Sequence, residues 1–315
     1  MANKVILAGG SGFIGTALAH TLAAHREVVI LTRRPNECHV IRDIPGRVRA
    51  VEWDGVNPGR WVAELEGAEA VVNLAGRSIN CVHTPANRRV ILESRLAAVR
   101  ALGRGLAAAA HPPRTWVQCG ATGFYGDAGD RVCDETQPAG AGFLADVCRQ
   151  WEEAFATLDL PGVRRVGLRI GVVLDPAAGP VPALARLTRA FLGGSAGSGR
   201  QYLSWVHRED LLRIFSAVLD RADLAGTFNA CSPGPVTNAE LMRTFRTVLG
   251  RPWCPPAPAF VVRLAARYLM KTDSSLVLEG QRAVPARLEQ AGFKFDHPEI
   301  GGALGDLLGR VREIA

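Results

Sequence analysis

The sequence predicts an α/β fold built on a doubly wound parallel sheet, and three observations support this. An apolar strand pattern runs directly into a glycine turn and a helical pattern over residues 4–22. Further strand and helix patterns then alternate as far as residue 170, as a parallel sheet with crossover helices requires. Beyond residue 174 the chain becomes rich in proline and glycine, which predicts a smaller C-terminal α/β lobe over residues 175–315.

The first strand and its turn carry the strongest functional motif. Apolar residues 5–8 suit a strand covered on both faces, and the glycines follow as G-x-x-G-x-x-G at Gly9, Gly12 and Gly15. The first glycine allows a tight turn, the second lets backbone N–H groups approach a pyrophosphate, and the third allows close packing of the helix. The helix N-terminus then faces the anion. Residues 1–174 are therefore predicted to be a Rossmann-type dinucleotide-binding domain.

The end of the second strand indicates which dinucleotide is bound. Residues 27–31 run into Thr32-Arg33-Arg34, where an NAD-binding unit would carry an acidic residue for the ribose hydroxyls. A guanidinium there can pair with a ribose 2′-phosphate, which a carboxylate would repel. The sequence therefore predicts NADP(H), with Arg33 favoured as the phosphate ligand, while Arg34 is equally consistent with a solvent-exposed residue.

The remaining elements of the first domain follow in order. Trp53-Asp54 at the end of the third strand is expected beside the adenine. Small residues after Asn73 let the chain pass close to the cofactor, and the Asn73 side chain can tie neighbouring strands together. The strands are predicted at 48–53, 70–74, 115–119 and 164–170, and the helices at 86–110 and 142–158.

The C-terminal lobe is expected to cover the strand ends and hold a small-molecule substrate in the cleft between the lobes. Helices are predicted at 184–192 and 238–249, another ends near residue 220, and a strand is predicted at 226–230. Residues 202–230 are expected to return to the first domain. The amphipathic stretch 260–270 is interpreted as core or lobe-interface packing in preference to a membrane or partner surface.

Composition narrows the class of protein. A 48% hydrophobic and 21% charged chain is typical of a soluble globular protein. The net charge of +7 is carried almost wholly by arginine, since Lys4, Lys271 and Lys294 are the only lysines, and no basic run suggests nucleic acid. Seven scattered cysteines without a C-x-x-C pair predict reduced thiols, no metal site and a cytoplasmic location. No apolar run is long enough to span a membrane, and the oligomeric state is not predicted.

The order of these motifs resembles the extended short-chain dehydrogenase/reductase superfamily, and more closely its atypical epimerase family branch, called cell-division-inhibitor-like or sugar-nucleotide-epimerase-like. The resemblance covers nearly the whole chain. The segment Glu279-Gly280-Gln281-Arg282 and its continuation to Phe293 is similar to that branch's C-terminal module of unknown role. The other matching stretches are residues 9–15, 31–33, 72–76, 91–95, 123–126, 142–148, 169–174 and 205–207.

The resemblance implies NADP(H) in the cleft and a set of contacts to it. The implied cofactor-binding residues are Gly9, Ser11, Gly12, Phe13, Ile14, Thr32, Arg33, Leu74, Ala75, Gly76, Arg95 and Val173.

The superfamily's acid–base pair is missing from this chain. That chemistry uses a tyrosine whose phenol pKa is lowered by a lysine one helical turn later. Gly129, Val206 and Thr272 stand four residues after the three tyrosines, Tyr125, Tyr202 and Tyr268. The family positions hold Phe143 or Leu144 and Val147 or Cys148, and Gly120 replaces the strand-five hydroxyl residue.

Other groups must therefore move the proton if the protein is an enzyme. The candidate catalytic residues are Tyr125, Thr122 and His207, with Asp146 as a further candidate. Two hypotheses remain open. One is an NADP(H)-dependent epimerase-like or oxidoreductase-like enzyme acting on an unidentified small molecule. The other is a non-catalytic NADP(H)-binding regulator or scaffold.

Overall fold

A computed structural model describes residues 3–314 of the chain, with side chains described as far as residue 309. Its centre is a seven-stranded parallel sheet. The strands are β1 (Lys4–Ala8), β2 (Glu27–Thr32), β3 (Val48–Glu52), β4 (Ala70–Asn73), β5 (Thr115–Ala121), β7 (Arg164–Ile170) and β11 (Gly226–Ala230). Their spatial order is β11-β7-β5-β4-β1-β2-β3. This confirms the doubly wound α/β fold.

Helices cover both faces of the sheet, and each face has its own buried apolar cluster. The helices of the first 174 residues are α1 (Phe13–Leu22), α2 (Val40–Asp43), α3 (Val62–Leu65), α4 (Pro85–Ala108) and α5 (Phe143–Ala156). Pro85 begins α4, where its missing N–H costs nothing, and the Thr84 side chain caps the helix by accepting from Asn87 N–H. α1 and α4 pack in different clusters, so they lie on opposite faces.

The C-terminal part adds helices, and three short strand pairs lie outside the central sheet. The helices are α6 (Val181–Arg189), α7 (Arg208–Asp220), α8 (Asn238–Leu249), α9 (Ala259–Leu264), α10 (Ser275–Leu278), α11 (Ala286–Gln290) and α12 (Ile300–Ile314). The strands are β6 (Val132–Cys133), β8 (Val172–Leu174), β9 (Tyr202–Leu203), β10 (Trp205–His207), β12 (Val236–Thr237) and β13 (Arg282–Ala283). β8 pairs with β10, β9 with β12, and β6 with β13.

Two details of this part differ from the sequence predictions. α6 ends at Arg189 and not at residue 192, because Phe191 adopts a positive φ of 61° and leaves the helical conformation. The interpretation of residues 260–270 as core or lobe-interface packing is wrong for the large apolar side chains of this stretch. Phe260 and Leu264 on α9, and Tyr268 on the following π-helical turn (Ala265–Leu269), are more than half exposed. Among the described residues, no helix combines the length and apolar character needed to cross a bilayer.

The register of the central strands creates the site. Ala8 at the end of β1 is level with Leu31 on β2 and with Asn73 on β4. The residues that follow these three strands therefore meet at one edge of the sheet. In open α/β sheets this carboxyl edge is where ligands bind.

Candidate functional site

The glycine turn after β1 is shaped by close backbone approaches. Gly9 has a φ of +76°, and a Cβ on it would lie 2.9 Å from the Cα of Ala75, which follows β4. A Cβ on Gly15 would lie 2.5 Å from the Cα of Gly10, so the third glycine lets α1 approach the turn itself. A Cβ on Gly12 would meet only the Gly9 carbonyl oxygen, at 3.6 Å. The fold therefore requires Gly9 and Gly15, whereas Gly12 leaves open space in front of the helix.

The N-terminus of α1 has the properties of an anion site. Gly12 is its N-cap, no side chain caps the helix, and no acidic residue stands in its first turn. Free N–H groups and the helix dipole therefore favour a negative group here. The Ser11 and Thr32 hydroxyls lie 3.0 Å apart and join this turn to the end of β2.

A cleft of about 700 Å³ opens along this edge of the sheet. Eight of the predicted cofactor-binding residues line it: Gly9, Ser11, Gly12, Thr32, Arg33, Leu74, Ala75 and Gly76. Trp53 and Asp54, expected beside the adenine, line it as well. Two further predicted residues, Phe13 and Ile14, begin α1 beside this lining; Phe13 is partly exposed and Ile14 packs against the core. Val173 is half-buried on β8 and packs against the same core.

Two neighbouring arginines on the rim of the cleft differ in their partners. Arg34 Nη1 pairs with Glu37 Oε2 at 3.0 Å. Arg33 is exposed and forms neither a hydrogen bond nor an ion pair within the described part of the chain. The ion pair of Arg34 therefore agrees with the sequence preference for Arg33 as the ligand of an anion. Arg33 is thus a cation at the end of β2 that is free to meet an anion in the cleft.

The end of β4 is held by its asparagine. Asn73 Nδ2 donates to Gln118 Oε1 on β5 at 2.9 Å, and Asn73 Oδ1 accepts the Ala75 N–H at 3.1 Å. The prediction that Asn73 ties neighbouring strands is confirmed. This buried pair fixes the path of residues 74–76 along the cleft.

Arg95 places a second cation close to the cleft. Its Nη1 donates to the carbonyls of Arg77 and Ile91, and its guanidinium stacks over Trp151 at 5.0 Å. No carboxylate pairs with it among the described residues, and burial lowers its pKa. A partly buried cation whose only hydrogen bonds go to carbonyls keeps its positive charge available to an anionic ligand.

Tyr125 lies in a closed network and not on the cleft surface. Its phenol oxygen accepts from Arg169 Nη1 at 2.9 Å and lies 2.8 Å from Asn229 Oδ1 and 2.9 Å from the Asp134 carbonyl. The side chain is fully buried, and burial raises the pKa of Tyr125 to about 12. Arg169 is in turn held by two hydrogen bonds to Glu152. These contacts suit a structural role and leave no free side of the hydroxyl for a substrate.

Thr122 follows β5, and its hydroxyl faces the C-terminal module. Gln281 Nε2 donates to Thr122 Oγ1 at 3.0 Å, although the two residues are 159 positions apart in the chain. Thr122 is also buried, at 2% exposure, but its hydroxyl accepts in this bond and can therefore donate its own proton to one further acceptor.

The His207 side chain is buried beneath the partly exposed side chains of His297 and Asp306. Its Nδ1 accepts the Glu209 N–H at the start of α7, which leaves the ring proton on Nε2, 3.3 Å from Asp306 of α12. Its ring stacks on His297 at 3.7 Å. The structure thus uses this imidazole to cap α7 and hold α12, and does not bring it together with Thr122.

The family's acid–base positions are occupied by other groups. Cys148 packs with its sulfur 4.0 Å from where a Cβ of Gly123 would lie, and burial raises the pKa of Cys148 to about 12. Asp146 is half exposed and pairs with Arg149. Phe143 packs edge-on against His83 at 5.2 Å. None of these side chains supplies a phenol beside a lysine.

The sequence did not predict that residues 273–280 of the C-terminal part contact the segments around His83 and Ala128. Asp273 accepts the His83 backbone N–H, and the Gly280 carbonyl accepts the Ala128 N–H. Glu279 lies close enough to Asp127 for partial burial and that neighbouring charge to raise its pKa. The resemblance identified residues 279–288 as part of the C-terminal module, but nothing in that pattern indicated that they contact the loop around Ala128.

Comparisons with known proteins match nearly the whole chain. The sequence model of the NAD dependent epimerase/dehydratase family matches residues 5–142, and that of a domain of unknown function, DUF1731, matches residues 257–307. Epimerase family protein Mb2239 of Mycobacterium bovis is 37% identical over 307 residues, which are 97% of this chain and 98% of that protein. Human epimerase family protein SDR39U1 is 32% identical over 313 residues, 97% of this chain and 99% of that protein.

Solved structures give the same result. The crystal structure of human SDR39U1 (isoform 2) with NADPH superposes with a TM-score of 0.84 at 31% identity, covering 96% of this chain and 98% of that one. UDP-glucuronic acid 4-epimerase from Bacillus cereus, in complex with UDP-glucuronic acid and NAD, shares the fold at 15% identity, with a TM-score of 0.75 and coverage of 99% and 100%.

Proposed function

Because this chain belongs to the NAD-dependent epimerase/dehydratase family, we propose that it binds NADP(H) in the cleft beside the glycine turn and acts on a small molecule held against the C-terminal module. One observation carries the choice of NADP(H) over NAD(H). Arg33 is an exposed cation, unpaired within the described chain, at the end of β2, where an NAD-binding protein would carry an acid. The human SDR39U1 structure, which contains NADPH, supports the same choice.

The residues of the cleft fit this cofactor. The open space at Gly12 and the free N–H groups of α1 suit a pyrophosphate, and Arg33 suits a 2′-phosphate. When bound, the nicotinamide supplies or accepts a hydride. Thr122, which already accepts from Gln281, can donate its hydroxyl proton to a substrate oxygen and so orient it. Within the proposal, Thr122 positions the substrate, and Tyr125 and His207 have structural roles.

A second candidate function is an NADP(H)-binding regulator without catalysis. The observation that favours it is the Tyr125 network, because the one tyrosine next to the strand-five loop has all its hydrogen bonds inside the protein. Incubating the purified protein and NADPH with panels of carbonyl compounds and nucleotide sugars separates the candidates. Oxidation of NADPH or conversion of a sugar supports the enzyme, and consistent absence of both supports the regulator.

Arg33 provides the direct test of the cofactor. Changing Arg33→Asp removes a charge-assisted phosphate contact and adds a repelling carboxylate. We expect NADPH to bind at least about 10- to 100-fold more weakly, from a contact of about 1.5–3 kcal/mol, with NADH binding retained. Calorimetric titration of both cofactors measures this.

The matched control is Arg34→Gln. Arg34 is occupied by Glu37, so its loss should change the affinity for NADPH much less than loss of Arg33. An equal loss of NADPH and NADH affinity in Arg33→Asp would place the 2′-phosphate elsewhere. An equal effect of the two arginine variants on NADPH would remove the distinction drawn from their ion pairs.

A further inference from the structure

One surface of the C-terminal part exposes most of the large apolar side chains that lie in solvent. It is formed by the end of α6 and by residues 253–270, and is here called the apolar face. Trp253 is 73% exposed, Tyr268 72% and Leu269 82%. The other members are Leu187, Phe191, Leu192, Phe260, Val261, Leu264 and Met270. Single exposed apolar residues are normal, but a contiguous set of this kind marks an interaction site.

Hydrogen bonds hold the two segments of the apolar face together. The Cys254 thiol donates to the Phe191 carbonyl at 3.2 Å, and the Ala257 N–H donates to the Ser195 carbonyl at 2.8 Å. The Arg251 guanidinium lies 4.9 Å from the Phe191 ring centre. These contacts hold residues 251–257, which lead into α9, against the end of α6.

The backbone turns that present this surface are unusual. Phe191, at the end of α6, has a φ of 61°, and Lys271, after the π-helical turn, has a φ of 52°. Glycine usually occupies such positions because other side chains are strained there. Here the residues keep side chains that project into solvent beside Leu192 and Met270. Backbone strain of this kind is concentrated at functional sites.

The two segments that form the apolar face carry basic residues and no acidic ones. No acidic residue occurs between positions 176 and 208 or between positions 241 and 272. The exposed cations on or beside the face are Arg186, Arg189, Arg263, Arg267 and Lys271, and no ion pair involves them among the described residues. A second copy of the chain would bring these cations together, which disfavours self-association through this face. The complementary partner is apolar and anionic.

We propose that the apolar face docks on the surface of an anionic phospholipid bilayer. Leu269 and Met270 project from the turn, and a flat apolar layer can accept all such side chains at once, whereas a protein partner would need a matching pocket for each. Amphipathic helical segments with interspersed arginines bind membranes in this way, by burying the apolar side chains and leaving the cations at the lipid headgroups. This replaces the sequence expectation of no membrane contact and is independent of the proposed enzymatic function.

Vesicle flotation tests the proposal with the full-length protein. Vesicles of equal parts phosphatidylglycerol and phosphatidylcholine should carry the protein upward, and vesicles of phosphatidylcholine alone should carry far less. Leu269→Glu with Met270→Glu should abolish flotation. Arg263→Glu with Arg267→Glu should weaken binding at least about fivefold for each charge removed, and high salt should weaken binding of the native protein.

The control places the same change at an exposed apolar residue elsewhere. Val56, in the loop after β3, is 48% exposed, and Val56→Glu should float as the native protein does. Unchanged thermal unfolding of each variant shows that the fold is intact. Failure of the native protein to bind anionic vesicles overturns the proposal, even if the same residues are found to mediate self-association or capture of an acidic protein. Equal flotation of the Leu269/Met270 variant and the native protein also overturns it.

Discussion

Removing the hydroxyl of Tyr125 separates a structural from a catalytic role for this residue. In Tyr125→Phe the ring stays, but Arg169 Nη1 loses an acceptor and the buried Asn229 Oδ1 loses its neighbouring donor. A neutral hydrogen bond contributes about 1 kcal/mol and one to a charged group about 1.5–3 kcal/mol, so we expect a loss of about 2–4 kcal/mol. Unfolding entropy scales with length, so for 315 residues unfolding as one unit this lowers Tm by about 3–6 °C.

The assay is thermal unfolding by circular dichroism, with NADPH affinity measured on the same preparations. The matched control is Tyr268→Phe, since Tyr268 is 72% exposed and the change should stay within about 0.5 kcal/mol. NADPH affinity should be unchanged in both variants. If Tyr125→Phe unfolds at the native temperature but loses turnover, the phenol reaches a substrate and the structural assignment is wrong.

Two further predictions concern other parts of the fold. Burial and the neighbouring His297 lower the pKa of His207 from its ordinary 6.5, although nearby carboxylates, those of Glu209, Asp306 and Asp210, act to raise it. At acid pH the unfolded state therefore binds more protons than the folded state. The stability that His207 contributes is thus fully present above about pH 6.5 and is lost as the pH falls. His207→Asn keeps a helix-capping side chain and should make Tm depend less on pH in unfolding scans. An unchanged slope of Tm against pH would contradict the prediction. Gly9→Ala should lower Tm, because Gly9 has a positive φ and closely approaches Ala75. Gly12→Ala should leave Tm unchanged and weaken only NADPH binding, measured by titration. If Gly12→Ala lowers Tm and Gly9→Ala weakens only NADPH binding, the roles assigned to the two glycines are exchanged.

The sheet could be predicted from the sequence because its signals are local. Strands buried on both faces read as short apolar runs, and the strand at 164–170 has the bounds that its pattern predicts. The position of Arg33 likewise follows from chain distance after the glycine turn. The sequence favours Arg33 over Arg34 by position alone, and the ion pair between Arg34 and Glu37 could not be predicted because it depends on the local geometry.

The candidate catalytic residues were harder to predict because their roles depend on non-local partners. Tyr125 is bonded to Asn229, 104 positions away, and Thr122 to Gln281, 159 positions away. Residue type and proximity to the strand-five loop made Tyr125 a reasonable proton donor. Only tertiary contacts show that the Tyr125 hydroxyl is bonded within the protein and that the Thr122 hydroxyl accepts a hydrogen bond from the C-terminal module.

The stretch at 260–270 shows the limit of amphipathic patterns in a different way. Helical periodicity reports that one face of a segment is apolar, but the same pattern results whether that face meets the core, a partner or a lipid surface. What distinguishes these cases is the sign of the flanking charges. A helix that packs on the core usually carries both acidic and basic side chains on its outer face, because water solvates both. The 32 residues from 241 to 272 include exposed Phe260 and Leu264 but no acidic residue, and packing on the core would not explain why carboxylates are excluded. An anionic surface supplies that reason, since every carboxylate near it would be repelled.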